Sequence, residues 1–194
     1  MRPASRACQR CPVDRVSDLA LAARAGDRAA LDELIRGTQA DVWRLAAHLV
    51  DRASADDVTQ EVYLRAVPAL ASWRGDAPVR VWLLTIARRT CADVLRRRER
   101  DRRLLRRLVE RPLADQPVAQ PSASGEVELQ AIVAGLPEDR RVAFVLTQVL
   151  GLSYAETAEV CEVPVGTVRS RVSRARDDLV ASLHTEEPSG VAEA

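Results

Sequence analysis

Residues 112–125 (PLADQPVAQPSASG) constrain the fold more than any other stretch of this chain. They contain three prolines among small and polar residues and show no apolar periodicity, which is typical of a linker. On both sides of them, apolar residues recur every three or four positions, as they do in amphipathic helices. Fully extended, the 14 residues reach roughly 45–50 Å. The sequence therefore predicts two small helical domains that are joined by a flexible linker.

The composition favours an all-α fold and a protein that is not inserted in a membrane. Of the 194 residues, 47 % are hydrophobic and 29 % are charged, whereas aromatic residues make up only 3 %. β-Branched alternation is nearly absent, and no apolar run approaches the roughly 18–20 residues that span a bilayer. The beginning of the chain lacks the apolar stretch of a signal peptide. We therefore expect a cytoplasmic protein.

The first helical domain is expected at residues 17–111, after a flexible leader at residues 1–16. Near its start, Gly26 is expected to end one helix in the left-handed conformation, and Asp27 is expected to cap the next helix. These two positions mark the first turn between helices. The 3–4 spacing continues on both sides of it, so the domain is expected to be helical throughout.

A later helix of this domain is expected at residues 54–67, and a break at residues 73–78 separates it from a long helix. The apolar residues expected to point inward are Val58, Val62 (or Tyr63), Leu64 and Val67. The same helix carries an acidic and polar stripe on or near one face, formed by Asp57, Gln60, Glu61 and Arg65. A stripe of this kind is usually only a solvated surface, so the pattern alone assigns it no partner.

The long helix that follows the break belongs to a strongly basic segment. The net charge of the chain is only +1, but residues 88–111 hold eleven arginines against four acidic residues. Its outer face carries Arg88, Arg89, Asp93, Arg96 and Arg97. An aromatic loop residue such as Trp73 beside an arginine-rich helix can hold single-stranded DNA, because bases stack on the ring and phosphates bind the arginines. The alternative is that Trp73 is a core residue and the arginines are solvated.

The second helical domain is expected at residues 126–183, and residues 184–194 are expected to form a tail. Pro137 is expected at the first position of a helix that Gly151 ends. Ser153 and Glu156 then have the spacing of a capping box, in which each side chain binds the backbone N–H of the other residue. Pro164 opens one more helix after a short turn. The residues expected in its core are Val165, Val168, Val172, Ala175 and Leu179.

The outer face of that last helix carries small hydroxyl side chains with arginines on both sides. The residues on this face and its flanks are Thr167, Arg169, Ser170, Arg171, Ser173, Arg174 and Arg176. Small hydroxyls permit close approach to the major groove, while the arginines neutralise phosphates. The pattern predicts a DNA-binding helix-turn-helix, and the alternative is an ordinary helical hairpin with a solvated basic face.

Neither an active site nor a metal site is predicted. Cys8 and Cys11 form a C-x-x-C pair, but a zinc site needs four ligands and no second pair of cysteines or histidines supplies them. No pair of carboxylates has a His, Ser or Cys beside it. We therefore expect a protein that is not an enzyme and that has no cofactor.

In this order, the motifs resemble those of the extracytoplasmic-function (ECF) sigma factors of the sigma-70 family, over about residues 17–183. The stretches that carry the resemblance are AGD at 25–27, DDVTQE at 56–61, WRGD at 73–76, WL at 82–83, IAR at 86–88, GLSYAE at 151–156, PVGTVRSR at 164–171 and RAR at 174–176. The resemblance implies that the first domain is the region 2 helical bundle and the second is the region 4 helix-turn-helix. It also implies a promoter-reading subunit of RNA polymerase.

The resemblance further implies roles for the surface residues. The set expected to bind core RNA polymerase, through the clamp helices of its largest subunit, is Asp57, Gln60 and Glu61, with Arg65 beside them. The set expected to read the −10 element and capture a flipped base is Trp73, Arg74, Val79, Arg88, Arg89, Asp93, Arg96 and Arg97. The set expected to read the −35 element in promoter DNA is Thr167, Arg169, Ser170, Arg171, Ser173 and Arg174. Many family members also bind an anti-sigma factor, which is the further partner expected here.

Three positions depart from the family pattern. Glu162 stands where members usually carry Gly in the turn of the helix-turn-helix, so we expect an adjusted turn, because a left-handed non-Gly residue costs about 1 kcal/mol. Arg89 stands where many members have Asn, and Val79 stands at a position that is often aromatic. The resemblance therefore leaves the −10 preference open.

Two other functions compete with the sigma factor. A stand-alone helix-turn-helix regulator would bind DNA without polymerase and would leave the acidic stripe and the basic loop unused. A helical adaptor that does not bind DNA would function equally well without Arg171 and Arg174.

Overall fold

The computed structural model of the chain describes residues 12–108 and 125–185. The first of these parts consists of α1 (Pro12–Arg24), α2 (Arg28–Leu49), α3 (Ala55–Ala69), a 3₁₀ turn (Leu70–Ser72) and α4 (Val79–Leu108). The second part consists of α5 (Gly125–Ala134), α6 (Glu138–Phe144), a π-helical turn (Val145–Val149), α7 (Tyr154–Cys161) and α8 (Val165–Thr185). No strand occurs in either part, and the all-α prediction is confirmed.

The turns between helices form where the local sequence predicts them. Gly26 ends α1 with φ +101°, and the Asp27 carboxylate caps α2 by accepting from the Ala30 N–H at 3.1 Å. Ser153 and Glu156 form the predicted capping box of α7. The Ser153 hydroxyl accepts from the Glu156 N–H at 3.2 Å, and the Glu156 carboxylate accepts from the Ser153 N–H at 2.8 Å.

Several helix boundaries differ from the expected ones, by up to five residues. Helix α1 begins at Pro12, five residues earlier than the apolar pattern indicated, because proline is well tolerated in the first turn, where the missing N–H has no partner to lose. Helix α8 extends to Thr185, two residues into the expected tail. Nearly all of the expected linker lies outside the described residues.

Three residues expected in the core are exposed. Leu64 is 76 % exposed, Val67 is 38 % exposed and Val165 is 37 % exposed. In α3 the buried residues Val58 and Val62 recur every four positions, and Leu64 is about 200° around the helix from Val62. One residue of a mostly apolar stretch in a helix can therefore face the solvent. Of the remaining inward-facing predictions for α8, Val168, Val172 and Ala175 are confirmed, since all are at most 1 % exposed, and Leu179 is half-buried against the core.

The two helical parts pack against each other over a shared apolar core. One continuous cluster of buried side chains includes Leu84, Ala87 and Cys91 of α4 together with Val160 and Cys161 of α7. Smaller clusters stabilise each part separately, one around Trp73 and one between α6, α7 and α8. In this arrangement α4 lies directly against the helix-turn-helix, so a face that the sequence assigned to DNA is partly covered by protein.

Candidate nucleic-acid interfaces

The outer face of α8 is open to solvent as the sequence predicts. Arg169, Ser170, Ser173 and Arg174 are exposed, while Thr167 is half-buried. Within the described residues, Arg169 and Arg174 form no ion pair and no hydrogen bond through their side chains. Two guanidinium groups are therefore available here for an external partner.

Two side chains on the same helix are instead tied to the protein. The Arg171 Nε lies 3.1 Å from the Asp139 carboxylate of α6, and the Arg171 side chain is 26 % exposed. The Ser170 hydroxyl donates to the Thr167 carbonyl at 2.9 Å, so its oxygen can still accept a hydrogen bond. Arg171 consequently holds α8 against α6, whereas the Arg174 side chain forms no such contact within the described residues.

The turn of the helix-turn-helix keeps its standard conformation even though it contains no glycine. Glu162 has φ 58° and ψ 42°, which is left-handed, and the Val163 N–H donates to the Ala158 carbonyl at 3.1 Å. The expected adjustment of the turn is therefore wrong, and the backbone bears a cost of about 1 kcal/mol. The Glu162 side chain extends to Arg88 and Arg89 of α4, with an Arg88 distance of 3.5 Å.

Three arginines of α4 bind the helix-turn-helix domain. The Arg80 Nη2 donates to the Leu150 carbonyl at 2.7 Å, and its Nε donates to the Asp41 carboxylate at 2.7 Å. The Arg88 Nε donates to the Val160 carbonyl at 2.8 Å, and Arg89 forms an ion pair with Glu162. Leu150 and Val160 stand at the C-terminal ends of their helices, where carbonyls lack helical partners and the dipole is negative. Arginine suits both features, because its N–H groups donate to free carbonyls and its positive charge is attracted to the negative end of a helix.

An ion-pair network joins the acidic stripe of α3 to the basic face of α4. Arg65 lies 2.5 Å from Glu61 and 2.7 Å from Asp93, and Asp93 lies 2.5 Å from Arg96. Hydrogen bonds from Arg65 and Arg96 lower the pKa of Asp93, and the bond to Asp93 raises the pKa of Arg65. Glu61 and Arg65 thus connect two helices, whereas Asp57 and Gln60 on the same stripe are exposed.

The expected stacking platform is not exposed. Trp73 is 5 % exposed and Val79 is 1 % exposed, and both pack in a small core with Ala20 of α1. The Trp73 indole N–H donates to the Ala77 carbonyl at 3.3 Å. This burial fits the alternative interpretation of Trp73 as a core residue, because the local core covers the side chains of both Trp73 and Val79. Arg74 remains exposed beside them.

A groove on the surface of α3 contains Leu64, the apolar residue that was expected in the core but is exposed. It is lined by Gln60, Leu64 and Val67 together with Ile35 and Gln39 of α2. Sequence reasoning missed Leu64 because its spacing also fits a buried face. Its polar neighbours at positions 60, 61 and 65 are the signal that could have placed it outside.

Two family models match the chain, Sigma-70 region 2 over residues 34–101 and Sigma-70 region 4 over residues 126–179. The ECF RNA polymerase sigma factor SigC of Mycobacterium tuberculosis is 44 % identical over 177 residues, covering 91 % of this chain and 96 % of that protein. This chain belongs to the ECF sigma factors. It is an RNA polymerase sigma factor that directs promoter-specific transcription initiation.

Solved structures of other proteins resemble this sigma factor, and two of them show the likeness. The structure of CnrH in complex with the cytosolic domain of CnrY has a TM-score of 0.69 at 26 % identity and covers 90 % of this chain and 99 % of that one. The sigma factor RpoE of Bartonella quintana, in complex with the anti-sigma factor NepR, has a TM-score of 0.67 at 25 % identity and covers 81 % of this chain and 98 % of that one. The relatives are initiation factors rather than catalysts.

The described parts of the sigma factor contain no group of three or more His, Cys, Asp or Glu side chains that would suit a metal ion. In those parts there is also no helix with the length and apolar character that crossing a bilayer requires. Cys8 and Cys11 lie outside the described residues. Cys91 and Cys161 are free and buried, and burial raises the pKa of the Cys91 thiol to about 12.

Proposed function

We propose that region 4 of this sigma factor reads the −35 element through the outer face of α8. The observation that carries the proposal is the pair of unpaired, exposed guanidinium groups of Arg169 and Arg174 on either side of Ser170 and Ser173. Arg174 supplies a forked donor for a base edge, and Arg169 supplies a phosphate contact. Thr167 and Arg171 position the helix from its flanks.

We propose that region 2 reads the −10 element with the exposed loop residue Arg74 and with Arg88, Arg89, Arg96 and Arg97 of α4. Base stacking is not assigned to Trp73, which supports the loop from within. Because Arg88 and Arg89 are bound to α7 and Glu162, this role requires region 4 to move away from α4. The linker at residues 112–125 is long enough for such a movement.

We propose that core polymerase binds at Asp57, Gln60 and the apolar groove around Leu64. A large apolar side chain that is 76 % exposed beside an exposed carboxylate combines buried area with charge complementarity, which suits a helical partner. Glu61 and Arg65 hold α3 against α4 and so keep this surface rigid. We assign the protein no catalytic activity and place it in the cytoplasm, where polymerase acts.

The assignment is tested by transcription in vitro with core polymerase and templates randomised at the −35 and −10 positions. The wild-type protein is expected to select both elements, Arg174→Ala to lose selection at −35 only, and Arg89→Ala to lose selection at −10 only. Leu64→Glu is expected to abolish binding to core polymerase while leaving α8 intact. Equal selection of both elements by all three variants would contradict the assignment.

We also infer that an anti-sigma factor regulates this protein. The support is the likeness to the sigma factor RpoE, whose structure was solved with an anti-sigma factor bound. Co-purification from the native host tests the inference, and recovery of the sigma factor with no partner other than polymerase under every growth condition would contradict it.

A further inference from the structure

Helix α1 contacts both ends of the loop that precedes α4, although α1 lies before the part of the chain that matches sigma-70 region 2. The Arg24 Nη1 donates to the Trp73 carbonyl at 2.6 Å, at the first residue of the loop. The Val79 N–H, just after the loop, donates to the Ser17 hydroxyl at 3.3 Å. A loop that is tied to one helix at both ends has its path fixed by that helix.

The residues that make these contacts share one face of α1. Ser17, Ala20 and Arg24 are separated by three and four positions, so they are aligned along the helix. Between the two polar contacts, Ala20 is fully buried and belongs to the same small core as Trp73 and Val79. The face therefore presents a hydroxyl, a methyl group and a guanidinium to the loop in sequence.

Ser17 acts as the cap of α4 from a distant position. Val79 is the first residue of α4, so its N–H has no acceptor within the helix. The preceding residue is Pro78, whose side chain cannot accept a hydrogen bond. A serine 62 positions earlier supplies an acceptor for this N–H from outside the helix.

Between the two anchors, three consecutive residues are exposed. Arg74, Gly75 and Asp76 form the tip of the loop, and Gly75 adopts φ +81°, a conformation that few other residues take without strain. The side chain of Trp73 points the other way, into the core. The tip is therefore short, exposed and held at both ends.

We propose that Ser17 and Arg24 are positioning residues for promoter recognition: they set the direction of the Arg74 tip relative to α4, and thereby the selectivity for the −10 element, without touching DNA. The inference rests on the proposed role of this loop in −10 recognition. It gives α1 a function that a purely structural helix would not have. A structural helix would affect both promoter elements and the stability of the protein together.

The experiment compares variants of the full chain in transcription with core polymerase, on templates that carry the preferred −10 element or a single-base mismatch in it. Ser17→Ala and Arg24→Ala are each expected to lower the ratio of matched to mismatched transcription about fivefold, which corresponds to the loss of one hydrogen bond. Ser17→Thr keeps a hydroxyl and is expected to restore the ratio. Selection at −35 and binding to core polymerase are expected to remain unchanged.

Arg15→Ala is the matched control. It removes another arginine contact of α1, the ion pair with Glu33 at 2.6 Å, but it does not touch the loop. It is expected to transcribe with wild-type selectivity. Urea unfolding of every variant shows whether a loss of selectivity follows a loss of stability.

The outcomes separate this inference from the role of the loop itself. If Arg74→Ala lowers −10 selectivity and the Ser17 and Arg24 variants do not, positioning by α1 is overturned while the loop keeps its role. If Arg74→Ala has no effect on −10 selectivity, the role of the loop fails and the inference fails with it. If −10 and −35 selection fall together with stability in the α1 variants, α1 is only structural.

Discussion

The two arginine-rich helices of this sigma factor, α4 and α8, use their arginines in different ways. Along α4, Arg80 and Arg88 donate to main-chain carbonyls of region 4, and Arg98 binds Asp51 at 2.6 Å. Along α8, Arg169 and Arg174 have no bonding partner among the described residues. The same residue type thus joins parts of the protein in one helix and remains available to DNA in the other.

The difference follows from what lies opposite each helix. Helix α4 faces the C-terminal ends of two helices, whose unpaired carbonyls and negative dipole ends attract guanidinium groups. The outer face of α8 is opposite no other element among residues 12–108 and 125–185, and the outward side chains between its arginines are small hydroxyls. A run of arginines therefore indicates an anionic or carbonyl-rich partner but does not show whether that partner is DNA or protein.

The largest expected effect belongs to the free arginines. Arg174→Ala is expected to weaken binding of the polymerase complex to its promoter by about 1–3 kcal/mol, because a base-reading arginine is lost, with preference relaxed at one −35 position. The free energy of unfolding is expected to change by less than about 0.5 kcal/mol, as for most surface substitutions. Filter binding at a fixed salt concentration and urea unfolding measure the two quantities.

Arg36→Ala is the control for this prediction, since Arg36 is exposed on α2 and belongs to none of the three proposed interfaces. It is expected to bind the promoter like the wild type. If Arg174→Ala bound every −35 sequence with the affinity of the wild type, the proposed contrast between the arginines of α4 and those of α8 would fail.

The second prediction concerns an arginine that joins the two regions. Arg80→Ala is expected to lower the free energy of unfolding by about 1–2 kcal/mol, because the Asp41 carboxylate, whose side chain is only 18 % exposed, loses its nearer partner and keeps only Arg44 at 3.7 Å. Region 4 is expected to bind −35 DNA as before. Urea unfolding and duplex binding by the same sample provide the comparison, and a loss of duplex affinity with unchanged stability would contradict it.

The third prediction concerns Glu162, whose side chain joins the turn of the helix-turn-helix to α4. Glu162→Gln removes the charge but keeps a left-handed non-Gly residue, whereas Glu162→Gly removes both the charge and the strain. Its ion pairs are half-exposed and contribute less than about 1 kcal/mol. Both variants are expected to have a larger radius of gyration than the wild type in solution scattering. The Gly variant is expected to be more stable than the Gln variant by about 1 kcal/mol, because it also relieves the left-handed strain.

Raising the salt concentration serves as the control for this prediction, because screening weakens the same ion pairs in the wild-type protein. The wild type at high salt is expected to approach the radius of gyration of Glu162→Gln at low salt. A radius that is the same for all three proteins would show that Glu162 does not hold the regions together.

Local signals made most of the fold predictable. The left-handed Gly26, the Asp27 cap and the Ser153–Glu156 capping box depend only on neighbouring residues, and all occur where the sequence places them. Burial was less predictable at Leu64, because helical spacing alone does not fix which side of an apolar stripe meets the core. The start of α1 at Pro12 was missed because an apolar pattern locates a helix but does not fix its first residue.

The site was predictable where the side chains face outward without partners, as on α8. It was less predictable on α4, because the partners of Arg80, Arg88 and Arg89 lie about 70 residues away in the sequence. The burial of Trp73 depends on Ala20 of α1, a contact that no local pattern encodes. Glu162 was recognised as unusual, but its partners on α4 emerge only from the packing of region 4 on region 2.

The smallest expected effect distinguishes two kinds of contact between the regions. The contacts from the arginines of α4 involve a charged donor, whereas the contact from the Gln130 amide of α5 to the Ala47 carbonyl, at 3.4 Å, is neutral and lies beside His48. The His48 Nδ1 is buried without a hydrogen-bond partner, and burial lowers the pKa of His48. When the pH falls below about 6.5, the ordinary pKa of histidine, His48 therefore binds a proton in the unfolded chain but not in the folded protein.

The free energy of unfolding is thus expected to be highest above about pH 6.5 and to decline as the pH falls toward the lowered pKa of His48. His48→Gln is expected to remove this decline, whatever its effect on stability at neutral pH, and His184→Gln is the control for histidine titration. Urea unfolding between pH 5 and pH 8 gives the slope. An equal decline in the His48→Gln variant would place the pH dependence elsewhere.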